Sequence, residues 1–240
     1  YAFMMVVFTL LRGYLNYVMS NKLYPQIKCY GTVEKDEVET IKTNIFGIAI
    51  GKFCVVSRGA SNNIIISFFI GLTNLAIFDN YYYVISAVTA IMVIMENSLV
   101  AGVGNSAVTE TEEKNYFDFK KINFVFMWFA GICSVCLLCL YQPFMELWVG
   151  KELVLPSITM VLFCSYFFVG CFSSIPNVYA AATGLWWNMR FKSITEVIAN
   201  VVLNIVFVQI WGINGVLIAT ILTLFFVTFL WTAKILYDNY

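Results

Sequence analysis

Apolar runs of about 20 residues recur seven times along this chain, separated by short polar segments that hold most of its charge. A helix of roughly that length is what crossing about 30 Å of hydrocarbon requires, because lipid offers no partner to an unpaired backbone group. The runs fall at 1–19, 44–70, 81–103, 122–141, 154–177, 194–210 and 213–236. They are about twice as long as barrel strands and do not alternate strictly, so they read as helices. Hydrophobic residues make up 61% of the chain and Asp, Glu, Lys and Arg only 12%. A water-soluble fold of that composition would expose too much apolar surface. The fold expected is an all-α polytopic membrane protein.

Composition also removes several chemistries. Histidine is absent, so imidazole relays, His-ligated metals and Ser-His or Cys-His nucleophiles drop out. Formal charge is zero and no basic patch interleaves with aromatics, which speaks against nucleic acid as a partner. No cofactor is implied. The chain starts at Tyr1 inside an apolar run, without a charged leader, and reads as a piece of a longer protein cut within or just before a span.

Orientation follows from the short loops. With alternating spans, ten Lys and Arg fall on one side: Lys22, Lys28, Lys35 and Lys42; Lys114, Lys120 and Lys121; Arg190 and Lys192; and Lys234. The other side receives Lys151 alone. The positive-inside rule then places loops 21–43, 104–121 and 178–193 and the C-terminus in the cytoplasm. Trp148, Trp211 and Tyr81–Tyr83 are expected at the outer interface, and Trp186, Trp187 and Trp231 at the inner one.

Three cations remain inside the spans, Arg12, Lys52 and Arg58, joined by Glu96. Each costs about 2.5–3.5 kcal/mol at mid-bilayer on insertion scales. Arg58 lies near the centre of its span, too deep to reach water cheaply. At 100° per residue, Gly47, Gly51, Lys52, Arg58, Gly59, Asn62 and Asn63 share an arc of about 160°. Gly47 and Gly51 also form a GxxxG packing motif, and Lys52 can pair with Glu96. Three cations against one acid still leave an excess, which a water-filled, cation-lined cavity accommodates. A second stripe, Glu196, Asn200 and Asn204, repeats every four residues on one face of the sixth span. Glu196 there suits a helix start and the Asn pair suits either interhelical bonding or a cavity wall.

Other patterns read as structural. Cys133, Cys136 and Cys139 spell C-x2-C-x2-C, but the fourth ligand position holds Pro143 and the triplet sits in an apolar helix, so packing is the expected role. The acidic run within Thr109–Lys121 reads as a solvated turn. Gly102 and Gly104 lack the Lys and Ser or Thr of a phosphate loop.

The order of several stretches resembles the Wzx-type polysaccharide flippases of the MATE-like (MOP) superfamily. They are Thr9-Leu10-Leu11-Arg12-Gly13 with Lys22-Leu23-Tyr24-Pro25; Lys52 ahead of Asn62-Asn63-Ile64-Ile65-Ile66-Ser67; Glu146-Leu147-Trp148-Val149-Gly150-Lys151; and Gly184-Leu185-Trp186-Trp187 with Arg190, Lys192, Glu196 and Trp211-Gly212-Ile213. Where the family usually carries Asp-Asn before Ile-Ile-Ile-Ser, this chain has Asn62-Asn63, and Arg58 stands where members are typically apolar.

The resemblance implies a parent of two six-helix lobes with the substrate cavity between them. Residues 1–20 would be the last helix of the first lobe, 21–43 a cytoplasmic linker and 44–240 the second lobe, the rest of the first lobe being a partner supplied by the same parent chain. The activity implied is export of a lipid-linked oligosaccharide across a bacterial inner membrane by alternating access, without catalysis. On that reading Arg12, Lys52 and Arg58 would offset diphosphate or acidic-sugar charge, the role of Arg58 following from its depth and not from the family pattern. Asn62, Asn63, Asn200 and Asn204 would bond sugar hydroxyls, and Glu96 would pair with Lys52 or carry a coupling proton. H+ or Na+ would be the coupling ion and membrane lipid the surrounding partner. The alternatives are a multidrug or cation antiporter on the same scaffold, which favours acidic cavities, and a glycan polymerase or ligase, which needs larger outer loops. A purely structural membrane subunit would need no buried cations.

Overall fold

Hydropathy marks where lipid touches a helix, and hydrogen bonding continues past that point wherever nothing interrupts it. The computed structural model describes residues 2–26 and 34–239, and its helices outrun the apolar runs at many of their ends. In order they are α1 (Ala2–Leu23), α2 (Lys35–Phe69), α3 (Leu72–Thr109), α4 (Glu112–Val149), α5 (Ser157–Cys171), α6 (Ser174–Ala182), α7 (Arg190–Trp211), α8 (Ile213–Leu222) and α9 (Leu230–Asn239). A short 3-10 turn, Lys151–Leu153, precedes α5, and a π-helical stretch, Thr223–Phe229, joins α8 to α9. No strand occurs among the described residues. Joining α5 to α6 and α8 to α9 leaves, among the described residues, seven helices long and apolar enough to span a membrane.

Two expected loops are therefore largely helix. Residues 104–121 form the tip of an α3–α4 hairpin, and 35–43 of the expected linker belong to α2. Linker residues 27–33, with Lys28, lie outside the described residues. The hairpin tip is fastened. The Thr111 hydroxyl caps α4 by accepting from the Lys114 amide, with Glu112 and Glu113 in the first turn where the helix dipole favours them. Across the turn, Ser106 donates to Asn115 Oδ1 at 2.7 Å, and Asn115 Nδ2 donates back to the Ser106 carbonyl at 3.2 Å.

The chain divides into two compact units, Tyr1–Thr40 and Ile41–Tyr240. In the second, α3 packs on α4, α5 and α6, while α7 packs on α8 and the π stretch. Gly212 takes φ 58° between α7 and α8, a conformation that favours glycine. Gly215 then lets the two backbones cross, since a Cβ there would sit 2.0 Å from the Phe207 carbonyl oxygen.

The core is aromatic. Phe78, Tyr81 and Ile85 of α3, Tyr141 and Met145 of α4, and Phe163 and Phe167 of α5 are buried together. Tyr81 and Phe163 stack at 5.7 Å. Tyr141 donates its hydroxyl to the Tyr81 carbonyl, and Tyr81 Oη accepts from the Leu155 amide at 3.0 Å. Tyr81 is thus a core residue and not part of the interfacial belt expected for 81–83, whereas Tyr82 and Tyr83 are exposed. Tyr83 lies 6.0 Å from the Trp148 ring.

Polarity runs opposite to that of a water-soluble fold. Phe68, Phe124, Trp128 and Leu147 stand exposed, while Lys192, Glu196, Asn200 and Asn204 are buried. Water would reverse this placement, and lipid tails favour it.

Candidate functional site

The sequence of α7 places Lys192, Glu196, Asn200 and Asn204 one turn apart on a single face, and that face turns inward. Opposite it stands α2. Arg58 Nη1 donates to Glu196 Oε1, and Lys192 Nζ lies 3.9 Å from Glu196 Oε2. The Arg58 and Glu196 side chains are 19% and 10% exposed, so the pair is largely withdrawn from solvent. Glu196 is in the second turn of α7, which begins at Arg190; its role is to hold two cations and not to start the helix.

Two turns further along α7, Asn204 Nδ2 donates to Asn62 Oδ1 at 2.7 Å and to Asn200 Oδ1 at 3.0 Å. Asn200 Nδ2 in turn reaches Thr220 Oγ1 of α8 at 3.3 Å. Asn200 and Asn204 are 0% exposed. Of the two roles open to them, interhelical bonding and a cavity wall, their amides take the first and tie α7 to α2 and α8. Asn204 Oδ1 is buried without a partner.

Two cavities open beside this seam. The first, about 210 Å³, is lined by Arg58, Asn62 and Asn63 of α2, Tyr82 of α3, Tyr166 of α5 and Thr220 of α8, among others. Its polar atoms are a guanidinium, amides and hydroxyls, a set that matches sugar hydroxyls and anionic oxygens. The second, about 280 Å³, is lined by Lys52, Glu96, Asn97, Asn177, Trp186 and Lys192 among others, and Val55 borders both. Lys52 and Glu96 thus share a cavity, yet no ion pair joins them among the described residues. The Ser174 hydroxyl is the hydrogen-bonding neighbour of Glu96. Gly47 admits the 184–189 segment to this cavity's wall, since a Cβ there would lie 2.9 Å from the Trp186 carbonyl.

The expected residues are thus distributed in four places. Arg58, Asn62 and Asn63 line the first cavity, and Lys52 and Glu96 the second. Asn200 and Asn204 form the seam. Arg12 lies in the first unit, exposed on the face of α1 that carries Met5, Phe8 and Thr9. Glu196 pairs with Arg58, but buried Lys192 adds a further cation, so the count becomes four cations against two acids and the difference of two is unchanged. Lys192 was expected in a cytoplasmic loop, and instead is buried in α7. The signal for it was present: four residues before Glu196, it extends the stripe by one turn.

The C-x2-C-x2-C triplet remains as free thiols on α4: Cys133 packs against the core, as expected, whereas Cys136 and Cys139 lie on the exposed surface. No metal-binding group of His, Cys, Asp and Glu occurs among the described residues. Helices that are apolar outside and charged inside define the class: an all-α, multi-pass membrane protein whose seven spanning helices are compatible with a transporter. Comparison with known protein families, curated proteins and solved structures finds no match to this chain.

Proposed function

We propose that this chain is the second lobe, with the preceding helix, of a flippase that carries a lipid-linked oligosaccharide across a bacterial inner membrane. The carrying observation is Arg58 deep in a spanning helix, in the wall of a cavity it shares with Asn62 and Asn63. A charge at that depth is costly unless an acid, a polar ligand or water meets it, and Glu196 meets one of the five guanidinium donors. A diphosphate supplies the matching charge and an oligosaccharide the hydroxyls. The order of motifs that resembles the Wzx-type flippases supports the same reading. On it, the loops rich in Lys and Arg face the cytoplasm, and rocking of one lobe against the other exposes the site alternately. A carrier of cationic drugs is less well served, since the first cavity has no carboxylate in its lining.

The test is glycan export in cells carrying the full-length protein. Arg58→Gln together with Lys52→Gln should abolish export while membrane levels stay at wild type, and Arg58→Lys should recover part of it. Undiminished export in the double variant would reject the assignment.

A further inference from the structure

Glu196 is held between two cations that face different cavities. Arg58 lies in the wall of the first cavity and Lys192 in that of the second, and each engages a separate oxygen of the same carboxylate. Glu196 is buried and lines neither cavity. It therefore stands in the partition between them. The two contacts are unequal: Arg58 makes a hydrogen bond, whereas 3.9 Å is far outside the range of about 2.7–2.9 Å usual for a charged N–H···O contact, so Lys192 has room to close.

Arg58 also has capacity to spare. Its guanidinium offers five donors in a planar fork, and one of them meets Glu196. A carboxylate met through one oxygen leaves that fork mostly unused. A phosphate oxygen pair arriving from the cavity side fits it better. Two cations sharing one acid leave the cluster with one positive charge, and a low-dielectric partition favours any anion that cancels it.

We infer that Glu196 is a built-in stand-in for a phosphate-class anion: a lipid diphosphate entering the first cavity displaces it from Arg58, and Glu196 then closes onto Lys192. The inference rests on the flippase reading and names the resting counter-ion of that site. No covalent bond changes. One ion pair is exchanged for another, and the Lys192–Glu196 pair left behind is neutral toward the second cavity.

Binding to the purified full-length protein in nanodiscs tests this, with farnesyl diphosphate as the lipid probe and inorganic pyrophosphate as the free anion. Glu196→Gln removes the competing charge but keeps the shape, and should bind farnesyl diphosphate about tenfold more tightly than wild type. Glu196→Asp, whose shorter arm reaches Arg58 poorly, should tighten binding by a smaller factor and serves if the Gln variant does not fold. Arg58→Gln should lose binding. Glu196 variants that bind no better than wild type, with Arg58 still required, would overturn the displacement and leave the flippase site standing. Binding indifferent to Arg58, or absent throughout, would bring down the functional reading itself. Pyrophosphate binding as tightly as the farnesyl probe would overturn the lipid source.

Discussion

At the scale of single residues, the contrast between Arg58 and Asn204 is instructive. Both reach across helices, but the first carries charge and the second an amide. Removing one partner of a buried ion pair leaves an uncompensated charge, at about 3 kcal/mol or more. Glu196→Met strands both Arg58 and Lys192 and should destabilise the protein by about that amount in detergent unfolding, whereas Arg58→Met, which leaves Glu196 to Lys192, should cost clearly less. The double variant should cost clearly less than their sum, because neither charge is then stranded opposite the other. Strict additivity would show that the two side chains share no energy. Asn204→Ala removes two hydrogen bonds, one across to α2 and one within α7, yet interhelical bonds in membranes average only about 0.6 kcal/mol. A loss of about 1 kcal/mol is expected, also because Asn204 Oδ1 already lacks a partner. A collapse of the fold in that variant would contradict this ranking.

Elements are positioned by glycine and by one irregular stretch. Gly215→Ala would push a Cβ into the Phe207 backbone, where nothing flexible can yield, so α7 and α8 must part and thermal stability in detergent should fall sharply. Gly131→Ala in α4 meets nothing within 4 Å and should be neutral or stabilise by about 0.5–1 kcal/mol. The π stretch Thr223–Phe229 has a geometric effect. Its wider turns absorb about one extra residue, which cancels roughly 100° of rotation. Thr220, Thr228 and Thr232 thereby fall within an arc of about 40°, and all three are buried. Deleting the exposed Phe226 should therefore be better tolerated in thermal unfolding than deleting Ile218 of regular α8. Equal damage from the two deletions would count against the extra-residue account. Seven spans were legible in the sequence because apolar length is a direct demand of the bilayer. Their ends were not, since polar residues such as Glu112–Lys121 go on hydrogen-bonding as helix beyond the apolar run. Arg58, Asn62 and Asn63 were legible from one helix wheel, whereas the Arg58–Glu196 bond joins α2 to α7 and no local pattern encodes it.

At the scale of the molecule, charged and amide groups inside and large apolar groups exposed outside make sense only against lipid. Sidedness then becomes measurable. In a background without cysteines, Lys151→Cys should react with an impermeant maleimide on intact cells, and Glu113→Cys only after permeabilisation. The reverse pattern would invert the orientation drawn from the Lys and Arg count. The fastened tip of the α3–α4 hairpin adds a mechanical consequence. Residues 112–121 carry α4 about 15 Å past its apolar run, which puts the tip roughly 30 Å from the bilayer midplane. With Ser106 and Asn115 clasped across the turn, the two helix ends swing as one oar blade. A tilt of about 10° near the midplane would sweep that blade through about 5 Å, so a pair of spin labels there would amplify motions too small to follow inside the bundle.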